Sequence, residues 1–458
     1  MIYSHNLPRW QEIWNRQTPR RLQNKYNGGY YYSREILENI IPLVKTDRNW
    51  ITICTEPYGM NHCIVFVHDN LHPEYYEWLR VYKDLILVCN WPEICPQVRH
   101  LGKVIYLPVS IDVEYVKKFR TRRKTREVAY VGRSRKLNEI PDYNLPEGVD
   151  HLSNMPREEL LTEMAKYKQV YAIDRVAQEA KVLGCEVLPY IDRFPDPERY
   201  QVLDNKDAAK ILQAELDKID KQKKKTLHDI VYTLRNGVEP DELRYSLRSV
   251  CKNFPYRKIW FVGGCPEGFV PDEYVEIIQE GSTPWDKLWN SIQELCENHD
   301  ITEDFWLFND DFFVMHPVET GPPTSDGAIY SCIRRIEQGN NGKSPYTKRL
   351  RQCAGVLSEN NMDRMNYDIH VPMLMNKYKV LHLLEKFPDI RAAFRSLYGN
   401  YYAIGGTVHP DNKIVDPDEF ATDDMPFLST TEESFAEGHV GEFIRERFPD
   451  PCKYEKED

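Results

Sequence analysis

A chain of 458 residues is longer than one compact core usually serves; domains run about 100 to 200 residues, so two or three are expected. With 41% hydrophobic and 29% charged residues it falls among ordinary globular chains, and no window reaches the roughly 18 apolar residues of a membrane span. A formal charge of −11 disfavours a general nucleic-acid scaffold, because backbone phosphates must meet a basic face.

Eleven cysteines are scattered with no Cys-x-x-Cys pair, which excludes the common zinc frameworks and disfavours a disulfide scaffold. The opening MIYSHNLPRWQEIW has no basic stretch followed by an apolar run. Together these predict a cytoplasmic protein with reduced thiols and no membrane span.

Along the chain, short β-rich runs at 50–54, 63–67, 85–88 and 104–107 alternate with polar or helical segments, the pattern of a parallel α/β sheet. This gives a first Rossmann-like half over 1–115. The alternation restarts after an Arg/Lys-rich stretch, with strands at 128–133, 169–173 and 187–190. A helix from Ala177 to Leu183 should end at Gly184. That predicts a second Rossmann-like half over 116–203. Residues 204–228 are charged and helix-prone, with a basic end, and read as a linker. A further α/β domain spans 229–458, with strands at 229–233, 258–262, 275–278 and 305–308, then Pro- and Tyr-rich additions with helices such as 378–387.

One short motif stands out for chemistry. Asn309-Asp310-Asp311 directly follows the apolar run Phe305 to Phe308 and precedes Phe312-Phe313. Carboxylates at the C-terminal end of an α/β strand lie where such sheets bind ligands, and their hard oxygens suit Mg²⁺ or Mn²⁺. A strand-end turn rich in Asn and Asp explains the same residues equally well.

The wider context resembles the Stealth family of sugar-1-phosphate transferases, which includes bacterial capsule phosphotransferases and the lysosomal-enzyme N-acetylglucosamine-phosphotransferase. Four ordered blocks carry the likeness. The first is Asp229 to Val270, where Glu242 to Ser249 reads Glu-Leu-Arg-Tyr-Ser-Leu-Arg-Ser and Asn236-Gly237 closes the preceding turn. The second is Phe308 to Phe313. The third holds His370-Val371-Pro372 and then Phe394-Arg395-Ser396, and the fourth is Arg447 to Glu455. Two departures occur, Leu234-Arg235 in place of Trp-Val and Thr430-Thr431 in place of Asn-Asp.

The resemblance implies a GT-A-like α/β domain with helical additions. It further implies transfer of a sugar 1-phosphate from a nucleotide-sugar, a UDP-sugar, to a hydroxyl of a glycan or glycosylated acceptor, with release of a nucleoside monophosphate. Asp310 and Asp311 would hold the metal, with Asp310 also catalytic, and Asn236, Arg244, Arg248 and Asn309 would bind substrate. A guanidinium fork suits phosphate, so Arg395 and Arg248 are candidates for that contact. His370 is the candidate for taking the acceptor proton. Bland readings stand beside these: His370 as an ordinary loop histidine, and Glu242 with Arg244 as a solvated helix face. A metal-dependent glycosyltransferase releasing a nucleoside diphosphate, or a non-catalytic carbohydrate-binding protein, would fit the same motifs. The acidic balance offers no support for a nucleic-acid acceptor.

The N-terminal half resembles the two-Rossmann glycosyltransferases of the GT-B architecture, through Val128 to Arg133, a loop at Asp150 to Leu152, and Glu179-Ala180 before Gly184. That likeness implies Gly132 and Arg133 on a diphosphate, Glu179 on a ribose, and His68 facing an acceptor.

Overall fold

The computed structural model describes residues 2–3, 35–51, 61–67, 73–132, 145–153, 155–189, 200–223, 227–237, 240–277, 283–318, 324–339, 344–388, 393–422 and 425–456. They fall into two compact units, residues 1–79 with 83–224 and residues 80–82 with 225–458. Both units are α/β. No described helix is long and apolar enough to cross a membrane.

The first unit contains two sheets. One runs in sequence order through β1 (Ile2–Tyr3), β2 (Asn49–Ile51), β3 (Cys63–Val67), β4 (Ile86–Cys89) and β5 (Lys103–Tyr106), parallel from β2 onward. Every residue of β3 and β4 is buried, as expected of parallel strands covered on both faces. The helix Asn205–Lys223 lays Ala208, Ala209, Leu212 and Leu216 into this core. Residues 205–223 are therefore part of the first unit's packing, where the sequence suggested a linker; the apolar stripe at helical spacing was hidden by the density of charge around it.

The other sheet has the order β7 (Asp150–Leu152), β6 (Arg126–Val131), β8 (Tyr167–Tyr171), β9 (Glu186–Leu188), all parallel. Residues 150–152, expected as a loop, form its edge strand. The helix Asp174–Leu183 ends on Gly184 at φ +80°, the left-handed C-terminal residue its glycine anticipated.

The second unit is built on β12 (Glu273–Glu276), β11 (Ile259–Gly263), β10 (Asp229–Leu234), β13 (Asp304–Phe308) and β16 (Met373–Asn376), in that spatial order, with only β16 antiparallel. Side chains alternate between its two faces. Ile230, Tyr232, Phe261 and Phe308 pack towards the helix Pro240–Asn253, whereas Val231, Trp260, Phe305 and Leu307 join the core formed with helices Pro284–Asn298, Pro345–Glu359 and Phe394–Tyr401. Small added sheets, β14 (Phe312–Val314) with β19 (Phe427–Thr430) and β18 (Lys413–Ile414), and β15 (Thr324–Ser325) with β17 (Thr407–Val408), decorate it.

Buried Asp229 anchors the start of β10. It accepts a two-pronged bond from Arg257 (2.7 and 2.7 Å), one from Trp260 Nε1 (3.0 Å) and one from the Thr302 N–H (3.1 Å). The chain winds from β10 outward through β11 and β12, then returns to the other side of β10 for β13. That reversal makes the C-terminal ends of β10 and β13 the switch point at which α/β sheets bind ligands.

Candidate active site

The ends of β10 and β13 carry Arg235-Asn236-Gly237 and Asn309-Asp310-Asp311. Arg235 and Asn236 are exposed, and Gly237 turns the chain at φ +74°. Beside them Gly264 passes so close that a Cβ would meet the Arg235 carbonyl oxygen at 2.6 Å, so only glycine lets the two strand ends lie together.

Asp310 and Asp311 occupy a turn closed by Phe312 N–H to the Asn309 carbonyl (3.3 Å). Their surroundings come from β18 and β19. Phe312 pairs with Ser429 across the small sheet, and Lys413 pairs with the same serine. This register brings Ser429 Oγ and Lys413 Nζ to Asp311 Oδ2, each donating at 2.9 Å. Asp311 Oδ1 is buried with no hydrogen-bond partner among the described residues. Burial raises the Asp310 carboxyl to about 6, and the adjacent Asp311 charge adds to the rise.

A third carboxylate joins them. Glu242, near the start of the helix Pro240–Asn253, accepts from Thr430 Oγ1 at 2.6 Å. Its carboxyl is raised to about 7, chiefly by burial and further by Asp311 and Asp310. Glu242 is half-buried within this acidic group, in contrast to the solvated face its sequence suggested. Thr430 is thus the group that steadies it. Thr431 caps the helix Glu432–Glu437 through Ser434 instead.

The rest of the Glu242–Ser249 block holds the fold around this group. Ser246 Oγ donates to the Phe312 carbonyl (2.5 Å), Ser249 Oγ accepts from the Val314 N–H (2.9 Å), and Asn253 donates to the Val314 carbonyl (2.7 Å). One helix face thereby satisfies the free edge of β14. Arg244 and Arg248, one turn apart, both reach Glu455. Arg248 grips it with Nε and Nη2 at 2.7 Å each and gives Nη1 to the Phe448 and Pro449 carbonyls. Burial would raise the Glu455 carboxyl, yet these bonds outweigh it and hold the group at about 2. Both guanidinium groups are therefore engaged in tying down the segment 448–455.

His370 and Arg395 both lie against Phe312. The His370 ring lies edge-on at 6.3 Å from the Phe312 ring and the Arg395 guanidinium lies 5.9 Å from it. His370 Nδ1 faces Asp411 (2.8 and 3.0 Å), and the same carboxylate accepts the His370 backbone N–H at 2.9 Å. Burial pushes Asp411 up, but its hydrogen bonds with His370 leave it below the usual carboxylate value. This arrangement fixes the proton on Nδ1 and leaves Nε2 as the basic nitrogen. Arg395 donates to the carbonyls on either side of His370, Ile369 (2.8 Å) and Val371, and its buried Nε has no hydrogen-bond partner among the described residues. As placed, Arg395 positions the histidine loop.

No family model matches the chain, and no curated protein does so either.

The structure brings Asp310, Asp311, Asn309, His370 and Arg395 into one neighbourhood, with Asn236 at the adjoining strand end. Three residues there went unnoticed as site residues in the sequence, Glu242, Asp411 and Lys413, and only Glu242 lay inside a recognisable block. The three carboxylates, faced by the Lys413 ammonium, share one electrostatic field, and hard oxygens are the ligand type that Mg²⁺ or Mn²⁺ takes.

Two candidates of the first unit are among its described residues. Gly132 follows β6, its N–H donating to the Leu152 carbonyl at 3.3 Å. Glu179 is fully buried, bonded by Arg157 (3.0 Å) with Arg175 nearby at 3.6 Å, and Glu35 joins the same two arginines. Arg133 and His68 lie outside the described residues.

Proposed function

We propose that the second unit transfers a sugar 1-phosphate from a nucleotide-sugar, a UDP-sugar by the family likeness, to a hydroxyl of a glycan or glycosylated acceptor, releasing a nucleoside monophosphate. The observation that carries this reading is the grouping of Asp310, Asp311 and Glu242 at the sheet's switch point, with an Asp411-oriented histidine beside Phe312.

Asp310 and Asp311 would hold Mg²⁺ or Mn²⁺, which offsets the charge of the diphosphate and of the departing nucleotide. The chain's own groups supply the rest. Exposed Arg235 presents a guanidinium beside Asp310, suited to a phosphate oxygen. His370 Nε2 accepts the acceptor's hydroxyl proton, and Asp411 stabilises the imidazolium that results. Arg395 keeps the His370 loop in place through the two carbonyls. Attack by the freed oxygen on the sugar-bearing phosphorus then expels the nucleoside monophosphate.

The GT-A-like description of this unit and the GT-B-like description of the first belong to the same proposal, supported by parallel sheets in both. The first unit is read as a glycosyltransferase-like module, and the whole chain as cytoplasmic.

The deciding experiment incubates the full chain with UDP-sugars, Mg²⁺ or Mn²⁺ and glycan acceptors, and resolves the released nucleotide by chromatography. Nucleoside monophosphate, lost in Asp310→Asn, is expected. Nucleoside diphosphate alone would overturn the proposal in favour of sugar transfer.

A further inference from the structure

Beside the His370 loop lies a guanidinium group that the proposed chemistry does not use. Arg349, in the helix Pro345–Glu359, holds its guanidinium carbon 3.2 Å from the centroid of the Trp285 ring and 5.8 Å from that of Tyr346. Its Nε is buried, and among the described residues Arg349 has no hydrogen-bond or ion-pair partner. We infer that the acceptor is an anionic glycan whose phosphate or carboxylate group is received by Arg349 on its Trp285 platform, an inference that rests on His370 taking the acceptor's proton.

The platform stands at the same edge of the sheet as that chemistry. β12 ends at Glu276, and the helix Pro284–Asn298 leads back towards the start of β13, so Trp285, in its first turn, lies at the C-terminal edge of the parallel strands, as Asp310 does. β16 runs antiparallel from Met373 beside Leu307, which puts His370 at that edge too. Direct contacts tie the two together. Tyr346 Oη donates to the Asp368 carbonyl at 3.1 Å, and the Asp368 side chain, two residues before His370, accepts the Ser396 N–H at 3.2 Å, next to Arg395.

Neighbouring guanidinium groups are neutralised within the fold. Arg335 is paired with Asp326, and Arg351 makes a two-pronged contact with Glu337 at 2.7 and 2.8 Å. Arg349 instead lays one face on an indole, which fixes its plane and leaves in-plane N–H donors for the oxygens of an anion. Burial lowers the Arg349 pKa, against the Tyr346 hydroxyl and the Asp368 carboxyl, and a bound anion would offset that desolvation. Position assigns the anion to the acceptor: Arg235 and the aspartates attend the donor at the ends of β10 and β13, whereas Arg349 adjoins the histidine loop.

The test titrates the full chain calorimetrically, in EDTA and without donor, with glucose 6-phosphate, glucuronate and glucose. The better of the two anions should bind about tenfold tighter than glucose or more, and its identity names the group as phosphate or carboxylate. Arg349→Met, which keeps the stacking volume, should lose that advantage. Equal affinity for all three sugars, or an anion affinity unchanged in Arg349→Met, would overturn the inference. UDP binding in Mn²⁺ should be the same in parent and variant; a tenfold loss there would assign Arg349 to the donor and overturn it as well. A further measurement needs no variant: the anion, at ten times its dissociation constant, should slow phenylglyoxal modification of Arg349 in the parent about tenfold, and an unchanged rate would overturn it. Failure of the transfer reading looks different. A chain that binds the anion but releases no nucleoside monophosphate loses that reading alone, and one that releases it equally well with neutral and anionic acceptors loses only this inference.

Discussion

In the chain freed of divalent metal by EDTA, Glu242→Gln should raise stability at pH 8 and leave it nearly unchanged at pH 5. The folded carboxyl titrates at about 7 against an ordinary 4.5, burial being the main cause. The folded state therefore keeps a proton that the unfolded chain releases, and stability falls as pH rises from about 4.5 to 7. The difference, 7 − 4.5 = 2.5 units, corresponds to about 3.4 kcal/mol at about 1.36 kcal/mol per unit. Glu242 is only half-buried and shares the local field with Asp310, so about 1–2 kcal/mol survives screening. Glutamine carries no such penalty and retains an oxygen for Thr430. Urea unfolding of both proteins at the two pH values measures the effect. A variant less stable than the parent at pH 8 would refute the reasoning, because it would make Glu242 a net stabiliser of the fold. Loss of transfer alongside the gain in stability would mark a residue kept for its site at a cost to folding.

Asp411→Asn keeps an oxygen for the His370 backbone N–H but removes the charge behind Nδ1, and kcat should fall by about 10²–10⁴ with the unfolding midpoint nearly unchanged; an unaltered kcat would remove His370 from the chemistry. Glu455→Gln breaks the two-pronged Arg248 contact and should cost about 2–4 kcal/mol in urea at pH 7. Because the carboxyl is held at about 2 in the fold, its contribution is complete above about 4.5, and the gap between parent and variant should close as pH falls from 4.5 towards 2. Asp229→Asn should lower stability by about 2–4 kcal/mol while leaving Mn²⁺ binding by the folded protein intact, since Asp229 lies at the N-terminal end of β10 and Asp310 beyond the C-terminal end of its neighbour β13. Altered metal affinity in that variant would contradict the placement of the two aspartates at opposite ends of the strands.

Much of the α/β organisation was legible from local chemistry. The uninterrupted apolar run Cys63–Val67 became a fully buried parallel strand, and Gly184 ended its helix because a residue without Cβ tolerates φ +80°. The helix Asn205–Lys223 was less legible, as four apolar positions had to be weighed against a charged surround. Within the block Glu242–Ser249, sequence grouped the residues but gave no way to tell their tasks apart. At helical spacing, successive residues point in different directions, so Glu242 meets the acidic group, Ser246 and Ser249 hold β14, and Arg244 and Arg248 turn to Glu455.

By itself, then, the sequence determined strands, helix ends, parallel sheets and the Asn309-Asp310-Asp311 strand end, because apolar periodicity and glycine conformations act over a few residues. Tertiary structure alone decided which side chains share a field. Lys413, Ser429 and Thr430 reach the carboxylates through the register of β18, β19 and β14, and Asp411 comes to His370 across 41 residues. Charge and hydrogen bonding depend on distance in space, and pairing far along the chain leaves no local periodicity to read.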